Sequence, residues 1–183
     1  ITGSARGRRL RELEGMETRP TTDRVKEGMF SILQFDIEGR RVLDLFAGTG
    51  QLGIECLSRG AAHCTFVDQR KDAVALVRKN LDATELSDRA KVFQGDALSF
   101  LGSAGARYHL IFLDPPYDTN LLNTTLNRIA VIDILAENGI IICESPQEKI
   151  LPELSADSVG LEASPGASSL DLDPQETKDS IMT

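Results

Sequence analysis

No stretch of the 183-residue chain approaches the roughly 20 consecutive apolar residues of a membrane span, and no apolar segment of the secretory type follows its Arg-rich start. Both absences point to a cytoplasmic protein with no membrane partner. Cysteine is scarce: Cys56, Cys64 and Cys143 stand singly in apolar stretches without metal-type spacing, so they are expected to be small core residues and no metal site is expected. There is no internal repeat.

Negative charge dominates, but unevenly. The formal charge is −8, and residues 144–183 hold nine acids and two lysines, a net −7, which leaves −1 for residues 1–143. The opposite sign gathers at the start, where Arg6, Arg8, Arg9 and Arg11 stand without an acid among them. Such an arm suits contact with phosphate, and equally suits a solvated terminus. With 41% hydrophobic residues, the chain is long enough for one globular core. Three regions are expected: a basic arm and helix in 1–40, a core in 41–154, and an acidic, weakly patterned tail in 155–183.

What is present is organised around Arg41-Val42-Leu43-Asp44-Leu45-Phe46-Ala47-Gly48-Thr49-Gly50. Val42 to Phe46 reads as a buried parallel strand. Gly48 and Gly50 are expected to remove the Cβ atoms that would hold a cofactor off the turn, with Gln51 to Arg59 as the helix behind it. Gly48-x-Gly50-x-x-Gly53 also satisfies the dinucleotide fingerprint, with Asp68 at about the ~20-residue offset. The carboxylate of Asp44 argues otherwise, because it would repel a pyrophosphate and suits an ammonium group.

Along the chain, Ile1 to Leu13 reads as an extended or hairpin segment, opening abruptly as though residues precede Ile1. Thr18-Arg19-Pro20-Thr21-Thr22-Asp23-Arg24-Val25 caps a helix expected to place Val25, Met29, Ile32 and Leu33 on one face. Cys64 to Val67 is a second strand ending at Asp68-Gln69, where a carboxylate suits ribose hydroxyls, and Lys71 to Leu81 a helix. Lys91 to Gln94 is a third strand. Asp96 and Ala97 beyond it offer an acceptor and an amide to an adenine edge, or Asp96 is a helix N-cap. Tyr108 to Leu113 is a fourth strand, Leu121 to Ala136 a helix and Ile140 to Cys143 a fifth strand. The alternation implies an α/β fold with a parallel sheet, helices on both faces, and Gly48, Asp68, Asp96 and Asp114 on its carboxyl edge.

Asp114-Pro115-Pro116-Tyr117 separates the functional readings. Two prolines fix φ and withhold N–H groups, so the turn accepts hydrogen bonds from an exocyclic amine, a pure donor, while Tyr117 offers a face for stacking a base. Hydride transfer has no use for this arrangement; methylation of an amine does.

The glycine turn together with Asp-Pro-Pro-Tyr resembles the class I S-adenosylmethionine-dependent amino-methyltransferases of nucleic acids. Gly7-Arg8-Arg9-Leu10 and Arg19-Pro20-Thr21-Thr22-Asp23-Arg24-Val25 narrow the resemblance to the RsmD-like bacterial small-subunit ribosomal RNA guanine-N(2) methyltransferases, from about Thr2 to Glu144. The resemblance implies a Rossmann-like fold and S-adenosylmethionine as cofactor. It implies cofactor contact at Asp44, Phe46, Ala47, Gly48 and Gly50, ribose contact at Asp68 and Gln69, and adenine contact at Asp96 and Ala97. Catalysis falls to Asp114, Pro115, Pro116 and Tyr117, and RNA contact to Arg6, Arg8, Arg9, Arg19 and Arg24. The implied partner is ribosomal RNA within a small-subunit assembly particle, met by a monomer. After about Leu154 the chain departs from the family, whose members finish with two further strands and a basic, aromatic ending. Two other functions share parts of the pattern: an adenine-N(6) DNA methyltransferase, for which there is no inserted recognition domain between Gly50 and Asp114, and a non-catalytic cofactor-binding protein.

Overall fold

Five apolar segments alternate with helices because each parallel strand must be followed by a crossover that returns the chain to the same edge. The strands are β1 (Arg41–Asp44), β2 (His63–Asp68), β3 (Ala90–Gln94), β4 (Tyr108–Leu113) and β5 (Leu135–Cys143). The helices are α1 (Asp23–Ile32), α2 (Gln51–Ser58), α3 (Lys71–Thr84), α4 (Ala97–Ser103) and α5 (Leu121–Val131). This computed structural model describes residues 1–12, 23–116 and 120–144. Arg19, Tyr117, the side chain of Arg24 and the tail 155–183 therefore lie outside the described residues.

All strand pairs are parallel, in the order β3-β2-β1-β4-β5. The order reverses between β1 and β4, and a crevice opens at such a point beyond the strand ends. Alternate strand residues face opposite sides. Val42, Cys64, Phe66, Leu110 and Phe112 pack with Phe30, Leu33, Ile54, Leu57, Val77 and Leu81, which places α1, α2 and α3 on one face. Leu43, Leu45, Val67, Ile111 and Leu113 pack with Leu101, Leu122, Leu126 and Ile129 of α4 and α5 on the other. Cys56 and Cys64 are buried and Cys143 half-buried, all three as free thiols. Among the described residues, no helix is long and apolar enough to cross a membrane and no cluster of side chains could hold a metal.

Several local expectations are corrected. The described start of the chain is not a hairpin: Gly3–Ala5 is a 3-10 turn, and its polar groups bond to α2, with the Ala5 N–H donating to Ser58 Oγ at 2.8 Å. The inward residues are Phe30 in α1 and Leu33 just beyond its end, whereas Val25 and Ile32 are 59% and 80% exposed. Phe30 decides that orientation by packing on the Phe112 ring at 6.4 Å and beneath the Arg59 guanidinium at 4.8 Å. α3 runs on to Thr84 before Glu85 adopts a left-handed cap.

The largest correction is at the fifth strand. α5 stops at Val131, and β5 begins at Leu135 rather than Ile140. The apolar residues Ile134, Leu135 and Ala136 continue a helical spacing in sequence, but Asp133 has φ 49, which breaks the helix. The Tyr108 N–H then donates to the Ile134 carbonyl at 2.9 Å. Tyr108 pairs with Leu135 and Leu110 with Ile140, so residues 136–139 form an irregularity within β5.

Candidate active site

The sheet delivers an acid to each strand end beside the crevice. Asp44 ends β1, Asp68 ends β2, Asp114 follows β4 and Glu144 follows β5. Pairing sets Asp44 level with Phe66 and Phe112, so Asp68 and Asp114 stand two residues higher on the same side of the sheet. Glu144 is held beside Asp114 because its N–H donates to the Leu113 carbonyl at 2.9 Å. Glu144 is absent from the residues singled out in sequence, although an acid directly after an apolar strand was the signal used for the others.

The turn after β1 is fastened on both sides. The Leu45 N–H donates to the Phe112 carbonyl at 3.2 Å and the Ala47 N–H to the Val67 carbonyl at 2.9 Å, so the turn leaves the sheet between β4 and β2. Gly48 and Gly50 have φ 53 and 78, in the left-handed region. Their reasons differ. A Cβ on Gly48 would meet only the Phe46 carbonyl, at 4.0 Å, so that side of the turn is open to a ligand. A Cβ on Gly50 would come within 3.2 Å of Ile54 and Val77. Gly50 is thus required by its own fold and by packing of α2 and α3, which corrects the expectation that its missing side chain makes room for a cofactor. Gly53, third of the series, is tighter still: a Cβ would lie 2.3 Å from the Phe66 ring, so α2 sits directly against β2.

Asp44 is 3% exposed and its Oδ2 accepts the Gly53 N–H at 3.1 Å. Burial pushes its carboxyl up to about 7; the Gly53 hydrogen bond opposes that rise, and the charges of Asp114 and Asp68 add to it. Asp114 is pushed up to about 6, first by burial and then by the charge of Glu144. The charges of Asp114 and Asp68 act on Asp44, and that of Glu144 on Asp114; carboxylates gathered in this way would repel the pyrophosphate of a dinucleotide and would be relieved by a cation. The donor set therefore fits the sulfonium and ammonium charges of S-adenosylmethionine. Pro115 is buried beside Asp114 and contributes no N–H.

The other expected positions are less uniform. Asp68 spends both oxygens on backbone, accepting from Gly48 N–H and Arg70 N–H at 2.8 Å each. Gln69 follows it and is exposed. Asp96 is an N-cap: its side chain accepts the Ser99 N–H at 2.9 Å and starts α4, where Ala97 is buried. On the arm, Arg6 and Arg9 are exposed, whereas Arg8 bonds to Glu85 at 2.7 Å and to the Ala83 carbonyl.

An open parallel sheet with a glycine turn on β1, a carboxylate at the β2 tip and an Asp-Pro-Pro turn on β4 is the arrangement of a class I methyltransferase. Comparison with known proteins places the chain more narrowly. Residues 1–164 match the family model described as "Conserved hypothetical protein 95". The chain is 45% identical over 162 residues to "Putative rRNA methyltransferase YlbH" of Bacillus subtilis (strain 168), covering 87% of this chain and 88% of that one. It is 39% identical over 156 residues to "Ribosomal RNA small subunit methyltransferase D" of Escherichia coli (strain K12), covering 85% and 78%. A solved chain described as "Putative methyltransferase yhhF from Escherichia coli" superposes with a TM-score of 0.74 at 39% identity over 84% of each chain. The chain belongs to this RsmD-like family of S-adenosylmethionine-dependent methyltransferases.

Proposed function

We propose that the protein methylates the exocyclic 2-amino group of a guanine in small-subunit ribosomal RNA, acting as a monomer in the cytoplasm on an assembling particle. The observation that carries this reading is the Asp114-Pro115-Pro116 turn after β4, the strand paired with β1 and its glycine turn, at the point where the strand order reverses. The relatives named as ribosomal RNA methyltransferases support the substrate class.

S-adenosylmethionine, when bound, supplies an electrophilic methyl group on a sulfonium. Asp44, Phe46, Ala47 and Gly48 would form its cradle, with Gly50 shaping the turn from behind; Asp68 and Gln69 would serve its ribose, and Asp96 and Ala97 its adenine. Asp44 and Asp114 favour positive charge in the crevice, and the buried position of Asp44 makes that preference strong.

Asp114 and the Pro115 carbonyl accept hydrogen bonds from the two N–H groups of the guanine amine. That directs the nitrogen lone pair out of conjugation and toward the methyl group, so little reorganisation remains. Methylation would build positive charge on the amine nitrogen, and ionised Asp114 would stabilise it. The nitrogen then gives one proton to Asp114 or to water. Tyr117 stacks on the base, while Arg6, Arg9, Arg19 and Arg24 meet phosphates; Arg8 shares that role with its bond to Glu85.

Mass mapping of methylated nucleotides tests the reading, after incubation with labelled cofactor and, in parallel, unmodified small subunits, free ribosomal RNA and DNA. Methylguanine in the subunit RNA is the expected product; methyladenine in DNA would transfer the assignment to the rival enzyme. In single turnover, Asp114→Asn is expected to lose about 10²–10³ in rate and Asp114→Ala more. A wild-type rate would remove Asp114 from the chemistry.

A further inference from the structure

The arm is not loosely attached. Thr2 bonds to Glu55, Ala5 to Ser58 and Arg8 to Glu85, so the described arm lies across α2 and the end of α3. Its last contact is of another kind. Asn80, in the middle of α3 and 0% exposed, accepts the Arg11 N–H at 2.8 Å and returns its own amide to the Arg11 carbonyl at 3.1 Å. The same amide nitrogen donates to the carbonyl of Thr49, between the two glycines of the β1 turn, at 2.9 Å. An asparagine is a poor choice for a buried helix position flanked by Val77 and Leu81, since its carboxamide must be desolvated and does little for the helix itself. Here both amide protons and the oxygen have partners, and those partners belong to two different loops. The carboxamide is rigid and planar, so a shift of the Thr49 carbonyl moves the Arg11 backbone, or costs a buried hydrogen bond.

We propose that Asn80 is a positioning residue that ties the docking of the N-terminal arm to the occupancy of the turn between Gly48 and Gly50. The proposal rests on the reading above that this turn holds the cofactor. A ligand that settles the turn settles Arg11 through Asn80, and by linkage anything that holds the arm down tightens the turn's grip on its ligand. The arm presents Arg6 and Arg9, so RNA held there and cofactor held at the turn reinforce each other.

Hydrogen exchange over residues 1–12, with and without S-adenosylhomocysteine, tests this, with calorimetry on the same samples to establish that the ligand is bound. In the wild type, ligand is expected to slow arm exchange several-fold. Asn80→Ser should still bind, roughly tenfold more weakly, the scale of one buried hydrogen bond, and its arm should no longer respond. Ser58→Ala removes a contact at the other end of the arm, far from the turn; it should raise the basal exchange yet keep the response. That contrast separates coupling from simple loosening, and the wild-type and Ser58→Ala measurements stand even where Asn80→Ser folds poorly. Bound ligand with no change in wild-type arm exchange, or a full response in Asn80→Ser, overturns the proposal. Failure of the ligand to bind the wild type overturns the cofactor reading first, and the coupling with it.

Discussion

The backbone N–H of Gly48 donates to Oδ2 of Asp68 at 2.8 Å, joining the turn after β1 to the tip of the neighbouring strand. Oδ1 of the same carboxylate takes the Arg70 N–H, also at 2.8 Å. One side chain therefore sets the height of the glycine turn and the entry into α3. A carboxylate has about four acceptor positions, so two remain for hydroxyl groups of a ligand. An amide at this position would turn a donor toward one of the two N–H groups. The acid is required by the turn before any ligand arrives.

The two outer glycines of the series should fail differently. Gly48→Ala places a methyl group in open space at a left-handed φ, so it should cost about 1 kcal/mol of stability and block the ligand side of the turn. Gly53→Ala forces a methyl group to 2.3 Å from the Phe66 ring and should cost about 1–3 kcal/mol. Thermal melts with calorimetry on S-adenosylhomocysteine check the pair. Unchanged affinity in a folded Gly48→Ala variant would move the cofactor elsewhere.

Activity should depend on the ionisation of Asp114. With its carboxyl pushed up to about 6, kcat/KM toward the cofactor, which reports groups of the free enzyme, should rise with pH through that region and then level off. Glu144→Gln deletes the neighbouring like charge, so the midpoint should move to lower pH. A midpoint that stays in place would show that Glu144 does not act on Asp114.

Stability should carry the opposite pH sign. Asp44 is raised on folding, so the native state keeps a proton that the unfolded chain has released. The stability from this group is complete below the unfolded value of 3.8 and is lost as pH rises through about 7. The ligand-free protein should therefore melt lower at about pH 8 than at about pH 5, and Asp44→Asn should flatten that difference. Melting curves of variant and wild type that run parallel across this range would reject the assignment.

Much of the site could be read from local pattern. Strand ends, the glycine turn and the proline pair act over a few residues, through φ, missing N–H groups and alternation along a strand, so sequence alone determined that Asp44, Asp68 and Asp114 reach one edge of a parallel sheet. Contacts between distant residues leave no such trace. Only the tertiary structure decided that Gly50 faces Val77 rather than a ligand, and that Arg8 bonds to Glu85. It also decided that β5 starts where Leu135 meets Tyr108, and that Asn80 holds Arg11 and Thr49 together. A helix pattern records that Asn80 is polar among apolar neighbours; its partners, 69 and 31 residues away along the chain, are chosen by packing. The physical reason is range: backbone geometry is written in adjacent residues, whereas the partners of a buried polar group are set by whichever elements the fold brings against it.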